Sequence, residues 1–145
     1  APDVVNLFME WNMNLFEAQS IEIRAPFAKT FNYIAETKYL PRWTEAFASV
    51  SDGRAWLATP NGRVQIGLCA HEIREAGTVD WEMRFPDGNV AWAYSRVIKL
   101  GDDRSIYSFT LMPPPVPLAQ LEGALEQQSQ TLRKELKKLQ EILAG

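Results

Sequence analysis

The first clear pattern along the chain is a short alternation of hydrophobic and polar residues. Ile21 and Ile23 alternate with the polar residues Ser20, Glu22 and Arg24. Because successive side chains of a strand point to opposite faces, this two-residue period predicts a strand with one buried face.

A helical period follows directly. Pro26 suits the first position of a helix, where its missing N–H would have no partner within the helix in any case. Phe27, Phe31 and Ile34 then recur every three to four residues, which predicts an amphipathic helix. The segment 40–43, LPRW, is predicted to form a second short helical turn.

Six further strands are predicted after these helices. Their ranges are 47–52, 55–59, 63–70, 78–85, 90–100 and 104–112. The alternation is clearest in the fourth of them, where Val79, Trp81, Met83 and Phe85 share one face. Short segments rich in Gly, Pro, Asn and Asp separate the strands, and such short turns predict an antiparallel sheet.

The C-terminal region returns to a helical period. Three prolines at 113–115 end strand structure, because proline cannot donate to a sheet. A leucine stripe then predicts a helix from about Leu118 to Leu143. Its members are Leu118, Leu121, Leu125, Leu132, Leu136, Leu139 and Leu143. At ~1.5 Å per residue such a helix is nearly 40 Å long, enough to cross a whole sheet.

The layout of segment 20–43, SIEIRAPFAKTFNYIAETKYLPRW, followed by strands and a long helix, resembles the START-like (SRPBCC) superfamily, which includes Bet v 1 and the polyketide cyclase/dehydrase and lipid transport proteins. The resemblance covers roughly Glu17 to Leu143 and concerns layout, not a catalytic motif. It implies an α+β helix-grip fold: a curved antiparallel sheet of about seven strands wraps around the long C-terminal helix, with two short helices after the first strand. It also implies a pocket between sheet and helix. Trp43 matches a tryptophan that the superfamily often has at the end of its second helix, where it packs against the sheet or walls the pocket.

Composition and charge narrow the classes of function. The 145 residues suit a single domain, which we place at 17–145. The net charge of −3 gives no reason to expect nucleic acid or an anionic membrane as partner. No apolar run approaches the ~20 residues of a membrane-spanning helix. Cys69 is the single cysteine, so a reducing cytoplasm is the simplest location. No signal peptide is visible, although one could already have been removed.

The first residues, 1–16, form a separate N-terminal arm with its own period. Val4, Phe8, Trp11 and Leu15 are spaced by four, three and four residues, which favours a short amphipathic helix. The arm could pack on the sheet, cap the mouth of the pocket, or take part in a homodimer or another protein contact. Packing is the simplest of these roles.

The candidate ligand-binding residues are aromatic for the most part. They are Trp81, Met83, Trp92, Tyr94, Arg96, Tyr107, Phe109 and Gln128. Gln128 places a polar amide on the apolar stripe of the helix, so we expect it to meet water, a polar side chain or a ligand; the alternative is an exposed position at the stripe edge.

The register of the strand 90–100 has two solutions. In the one that we favour, Trp92, Tyr94 and Arg96 face the pocket, partly because the resembled superfamily places the larger residues there. In the other, Ala93 and Val97 face inward and Arg96 lies in solvent. A shift of one residue separates the two.

The remaining chemistry-bearing residues give no catalytic motif. His71, the only histidine, is predicted to point outward, and Cys69 to be a buried structural thiol. Asp80 and Glu82 are predicted to lie on the solvated outer face of their strand. We expect no metal site, and neither a phosphate-binding loop nor a cofactor motif is present.

These observations favour the binding of a hydrophobic or aromatic small molecule in an internal cavity. The first alternative is an enzyme of the polyketide cyclase, aromatase or dehydratase type, in which Tyr94, Tyr107 and Arg96 would polarise a carbonyl or enolate. The second is an interaction module that uses the N-terminal arm. The sequence leaves open whether a reaction is catalysed.

Overall fold

Seven strands form one antiparallel sheet. A computed structural model describes residues 16–59, 62–112 and 124–145, with side chains from Glu126 onward in the last segment. The strands are β1 (Glu17–Ile23), β2 (Phe47–Ser51), β3 (Arg54–Thr59), β4 (Gly62–Ile73), β5 (Thr78–Arg84), β6 (Val90–Lys99) and β7 (Ser105–Leu111). Their order across the sheet is β1-β7-β6-β5-β4-β3-β2. Consecutive strands from β2 to β7 are therefore neighbours, and β7 brings the chain back beside β1.

Helices cover one face of this curved sheet. They are α1 (Phe27–Ala35), a 3₁₀ turn (Thr37–Tyr39), α2 (Leu40–Trp43) and α3 (Ala124–Ala144). The predicted α+β helix-grip architecture is thus confirmed.

The arm at 1–15, the proline segment and the first part of the predicted C-terminal helix lie outside the described residues. Within the described residues, no helix is both long enough and apolar enough to cross a membrane.

The hydrophobic core lies between α3 and the concave face of the sheet. The leucine stripe predicted for α3 is buried wherever its side chains are described. The buried set from this helix is Leu132, Leu136, Leu139 and Leu143. From β5 and β7 the core receives Val79 and Tyr107, both fully buried, and from α1 it receives Phe31 and Ile34. One continuous core therefore joins the sheet to the helices that cover it.

Side-chain amides fasten α3 to the edge strand β1. Gln19 Nε2 donates to the carbonyl oxygen of Ser129 at 2.8 Å, and Gln140 Nε2 donates to that of Glu22 at 2.7 Å. The two bonds lie about three turns apart on the helix, so they fix its direction along β1.

A buried hydroxyl chain joins α1 to β7. Ser105 Oγ donates to the carbonyl oxygen of Ala25 at 2.9 Å and lies 2.8 Å from Thr30 Oγ1. The side chains of Ser105 and Thr30 are both fully buried. Because Ser105 uses its own proton on Ala25, Thr30 is the donor to Ser105.

Replacing Ser105 by alanine should lower the free energy of unfolding by about 1–3 kcal/mol, because it leaves the Ala25 carbonyl and the Thr30 hydroxyl buried without a partner. Ser108→Ala is the matched control on the same strand, since Ser108 hydrogen-bonds only the exposed hydroxyl of Ser20. Urea unfolding of both variants measures the difference. Equal losses in the two variants would contradict the role of the buried chain.

The turn from β4 into β5 brings the backbone of Gly77 close to β6. Gly77 has φ of +75°, and its carbonyl oxygen accepts the N–H of Val97 at 2.8 Å. A Cβ atom at this position would lie 2.1 Å from the Val97 carbonyl oxygen. Both the backbone conformation and the available space therefore require glycine here.

Candidate functional site

A cavity of about 240 Å³ lies between α3, α2 and the concave face of the sheet. Apolar and aromatic side chains make up most of its wall, with few polar groups. The residues that line it are Leu40, Trp43, Thr44, Ala46, Phe47, Leu57, Trp81, Met83, Phe85, Ala91, Trp92, Ala93, Phe109, Leu111, Met112, Gln128 and Glu135. An apolar concavity with a few polar groups is the usual form of a small-molecule site.

Two tryptophans and a phenylalanine form one wall of the cavity. The ring centroids of Trp43 and Trp81 are 6.5 Å apart, and those of Trp81 and Phe109 are 5.9 Å apart. Trp43 also packs edge-on against the buried ring of Tyr107 at 6.2 Å. The indole N–H groups of Trp43 and Trp81 are buried and have no hydrogen-bond partner among the described residues. Trp43 therefore both packs against the sheet and walls the cavity.

Among the described residues that line the cavity, Glu135 is the one with an ionisable side chain. Its Oε2 accepts the backbone N–H of Glu45 at 2.7 Å, while its Oε1 has no hydrogen-bond partner among the described residues. Burial raises the pKa of the Glu135 carboxyl to about 7; the Glu45 N–H opposes this increase, and the Glu45 carboxylate adds to it. Near neutral pH the group can therefore either donate or accept a proton.

Glu135 is not among the site residues predicted from the sequence, although its position carries a signal. The residue lies seven positions after Gln128 and three after Leu132, which places it on the same face of α3. At the edge of a leucine stripe a glutamate is commonly solvated. Only the approach of the α2–β2 connection, through Glu45, shows that this one is partly buried.

Five of the candidate ligand-binding residues line the cavity. Trp81, Met83 and Phe109 do so from the sheet, and Gln128 from α3. Gln128 is exposed, which agrees with the alternative that it lies at the edge of the apolar stripe of α3. Trp92 also borders the cavity, although its ring stacks on other aromatic rings of the outer face. Contact of any of these residues with a ligand stays a prediction.

The register favoured for the strand 90–100 is wrong, and the alternative is correct. Val97 is 1% exposed and Ala93 is buried, so these smaller residues face inward. Tyr94 and Arg96 lie on the outer face, where Arg96 Nε donates to the carbonyl oxygen of Ala76 at 3.0 Å. Neither side chain can polarise a substrate inside the cavity. Tyr107, the third residue proposed for that role, is fully buried in the core and is not among the described residues that line the cavity.

The outer face of β4 to β6 carries an ion-pair cluster that the sequence did not predict. Glu82 accepts hydrogen bonds from Arg84 Nε at 2.5 Å and lies 2.9 Å from His71 Nε2. The hydrogen bonds from His71 and then from Arg84 hold the pKa of the Glu82 carboxyl below its usual range. Glu82 is thus buried between its partners and is not solvated as expected. His71 points outward as predicted, whereas Cys69 is exposed and the prediction of a buried thiol is wrong.

A second depression, of about 490 Å³, lies on β2 to β4. Its lining is polar apart from Trp56 and includes Asp52 and Arg54. Trp56 itself is 42% exposed. The cavity beneath α3 is the better candidate site, because its wall is mostly apolar and includes the buried rings of Trp43 and Trp81. Among the described residues, no group of three or more His, Cys, Asp or Glu side chains is arranged to hold a metal ion.

Comparison with solved structures relates the fold to known proteins. A START superfamily protein from Mycobacterium smegmatis superposes with a TM-score of 0.62 at 13% identity, covering 88% of this chain and 96% of that chain. The Zhui aromatase/cyclase from Streptomyces sp. R1128 superposes with a TM-score of 0.61 at 8% identity, covering 90% of this chain and 91% of that chain. The Aha1 dimer from Colwellia psychrerythraea superposes with a TM-score of 0.62 at 15% identity, covering 90% of this chain and 97% of that chain. The chain therefore has the START-like (SRPBCC) fold, as the sequence resemblance implied.

These structural similarities establish the fold and not the function. No protein-family model matches the sequence, and the comparison with curated proteins gives no match. At such identities a shared fold does not carry a shared activity, because function depends on the side chains of the site.

Proposed function

We propose that this protein binds a hydrophobic or aromatic small molecule in the cavity beneath α3. The observation that carries the proposal is an apolar cavity of about 240 Å³ bordered by buried aromatic rings. The cavity is partly open to solvent, since Met112 and Gln128 on its border are exposed. An apolar molecule that covers its apolar wall would remove that surface from water, which favours binding.

The physical gain comes from removing apolar ligand surface from water. Each buried Å² contributes about 25 cal/mol, and the wall of Trp43, Trp81 and Phe109 adds ring contacts of defined geometry. The volume is below the roughly 300–1,000 Å³ of sites for drug-sized ligands. A molecule of one or two rings therefore suits the cavity better than a long lipid chain.

An obstructing variant tests the proposal. Ala93 is buried and lines the cavity, so Ala93→Phe places a ring inside it. The neutral probe 1-naphthalenemethanol should bind the wild-type protein saturably with one site, and Ala93→Phe should weaken that binding at least about tenfold. Isothermal titration calorimetry measures both.

The matched control is Ala58→Phe, which adds the same ring at an exposed position of β3. This variant should bind the probe like the wild type. Loss of binding in both variants, or unchanged binding in Ala93→Phe, would place the probe elsewhere. Absence of binding to the wild-type protein would overturn the proposed function. Native mass spectrometry of the purified protein, with solvent extraction, then identifies any molecule that it carries.

An enzyme of the cyclase, aromatase or dehydratase type remains the second candidate, and one observation favours it. Glu135 is a carboxyl in the cavity wall whose pKa is raised to about 7 by burial, which suits general acid–base catalysis at neutral pH. In this function Glu135 replaces Tyr94 and Arg96 as the reactive group. A compound recovered from the protein and returned to it distinguishes the two candidates, because an enzyme converts it and Glu135→Gln does not, while a binding protein returns it unchanged.

A further inference from the structure

The charges of the cavity wall point to the chemical class of the ligand. Glu135 is the only ionisable side chain among the described residues that line the cavity. No lysine, arginine or histidine belongs to that set. A ligand carboxylate or phosphate would thus have no cationic partner in that set, and it would face the partly buried carboxyl group of Glu135.

The hydrogen bonding of Glu135 leaves one side of the carboxylate available. Oε2 accepts the Glu45 N–H at 2.7 Å, which fixes the orientation of the carboxyl group. Oε1 has no hydrogen-bond partner among the described residues. Glu135 is partly buried beside the apolar wall, so a ligand that supplies an N–H donor to Oε1 would form a charge-assisted hydrogen bond in a partly desolvated setting.

The aromatic wall favours the same kind of ligand. Trp43, Trp81 and Phe109 present ring surfaces whose negative π faces attract cations, tryptophan most strongly. Glu45, whose backbone binds Glu135, adds a second negative charge at this end of the cavity. An ammonium group beside Glu135 would be attracted by both the carboxylate and the rings.

We propose that the ligand is a small aromatic or alicyclic amine, with its body among the aromatic rings and its ammonium group paired with Glu135. This proposal rests on the proposed function and specifies its ligand class. The cavity of about 240 Å³ accommodates an amine of one or two rings.

The groups around Glu135 predict the pH dependence of binding. Glu45 approaches from the α2–β2 connection, and the phenol of Tyr107 on β7 stays neutral because burial raises its pKa. On α3 itself, Lys138 is exposed and makes no ion pair with Glu135. Because the ammonium needs an ionised carboxylate and the pKa of Glu135 is about 7, amine affinity should increase from pH 5.5 to pH 8 and binding should release a proton.

A series with one ring system and three charges tests the proposal. Calorimetric titration at pH 8 compares 1-naphthylmethylamine, 1-naphthalenemethanol and 1-naphthoate on the wild-type protein. The amine should bind about tenfold or more tighter than the alcohol, as a charge-assisted hydrogen bond in a desolvated site requires, and the naphthoate should bind weakest.

Glu135→Gln should remove the preference for the amine and its pH dependence while leaving the alcohol within about threefold of wild type. Glu141→Gln is the matched control, because Glu141 lies exposed on the same helix. Equal affinity for all three compounds, or tightest binding of the naphthoate, would overturn the amine assignment and leave the proposed binding function standing. Failure of all three to bind would overturn both.

Discussion

Gly77→Ala should lower the free energy of unfolding by about 3 kcal/mol, the sum of a left-handed backbone penalty of about 1–2 kcal/mol and an overpacking penalty of about 1–3 kcal/mol. The new Cβ would lie 2.1 Å from the carbonyl oxygen of Val97 and 3.2 Å from the ring of Phe27. The carbonyl belongs to the backbone of β6, so it cannot move aside like the end of a flexible side chain. Chemical denaturation monitored by tryptophan fluorescence measures the loss.

Gly88→Ala separates the two penalties. Gly88 also has a positive φ, of +89°, but nothing lies within 4 Å of the position that its Cβ would take. This control should cost only the backbone penalty of about 1–2 kcal/mol. Equal losses at the two glycines would show that β6 adjusts freely, and would contradict the close approach of the β4–β5 turn.

The second large effect concerns pH and Glu135. Burial raises the pKa of this carboxyl in the folded protein to about 7, above its ordinary value of 4.5. As pH rises from 4.5 to 7, the unfolded chain loses the proton first, so the folded state becomes less stable over this window. At pH 8 the raised pKa lowers the free energy of unfolding by about 3 kcal/mol relative to pH 4, since one pKa unit corresponds to about 1.4 kcal/mol.

Glu135→Gln keeps the shape of the side chain and its acceptor for the Glu45 N–H, but it cannot ionise. The variant should therefore match the wild type near pH 4 and exceed its stability by about 3 kcal/mol at pH 8. Thermal or urea unfolding at the two pH values measures this change. A constant difference between the two proteins at both pH values would show that Glu135 is solvated in the folded state. Glu141→Gln should change stability little at either pH.

A carboxyl group that destabilises its own protein at neutral pH is typical of a functional site. Stability and function often conflict there, because a buried charge is retained for what it binds or transfers. An apolar residue at position 135 would pack against the cavity without this cost. The presence of Glu135 is therefore consistent with both candidate functions, and the amine series distinguishes a binding role from a purely structural one.

Hydrophobic periodicity along the chain was enough to predict the order and type of the described elements. The alternation of Val79, Trp81 and Met83 correctly gave the inward face of β5, and the leucines after position 130 correctly gave the buried face of α3. These predictions succeed because a two-residue or helical period leaves only one arrangement that buries the apolar face. The layout of segment 20–43, together with the strands and the long helix that follow it, indicated the fold.

The register of β6 was decided by tertiary packing. Both faces of this strand offer apolar residues, Trp92 and Tyr94 on one side and Ala93 and Val97 on the other, so periodicity does not choose between them. The concave face over β6 is already occupied by Trp81, by Tyr107 and by α1, and only the smaller side chains fit beneath them. The larger rings are therefore on the outside.

The chemistry of the site was likewise settled by contacts distant in sequence. Glu135 meets the backbone of Glu45, 90 positions away, and Glu82 is buried by His71 and Arg84 on the outer face. From the sequence pattern alone, both Glu135 and Glu82 are expected to be ordinary exposed acids. A pKa depends on desolvation and on neighbouring charges, and both are properties of the assembled fold. Periodicity in the sequence therefore predicts where apolar surface is buried, but contacts between segments distant in sequence select the polar groups that lose water with it.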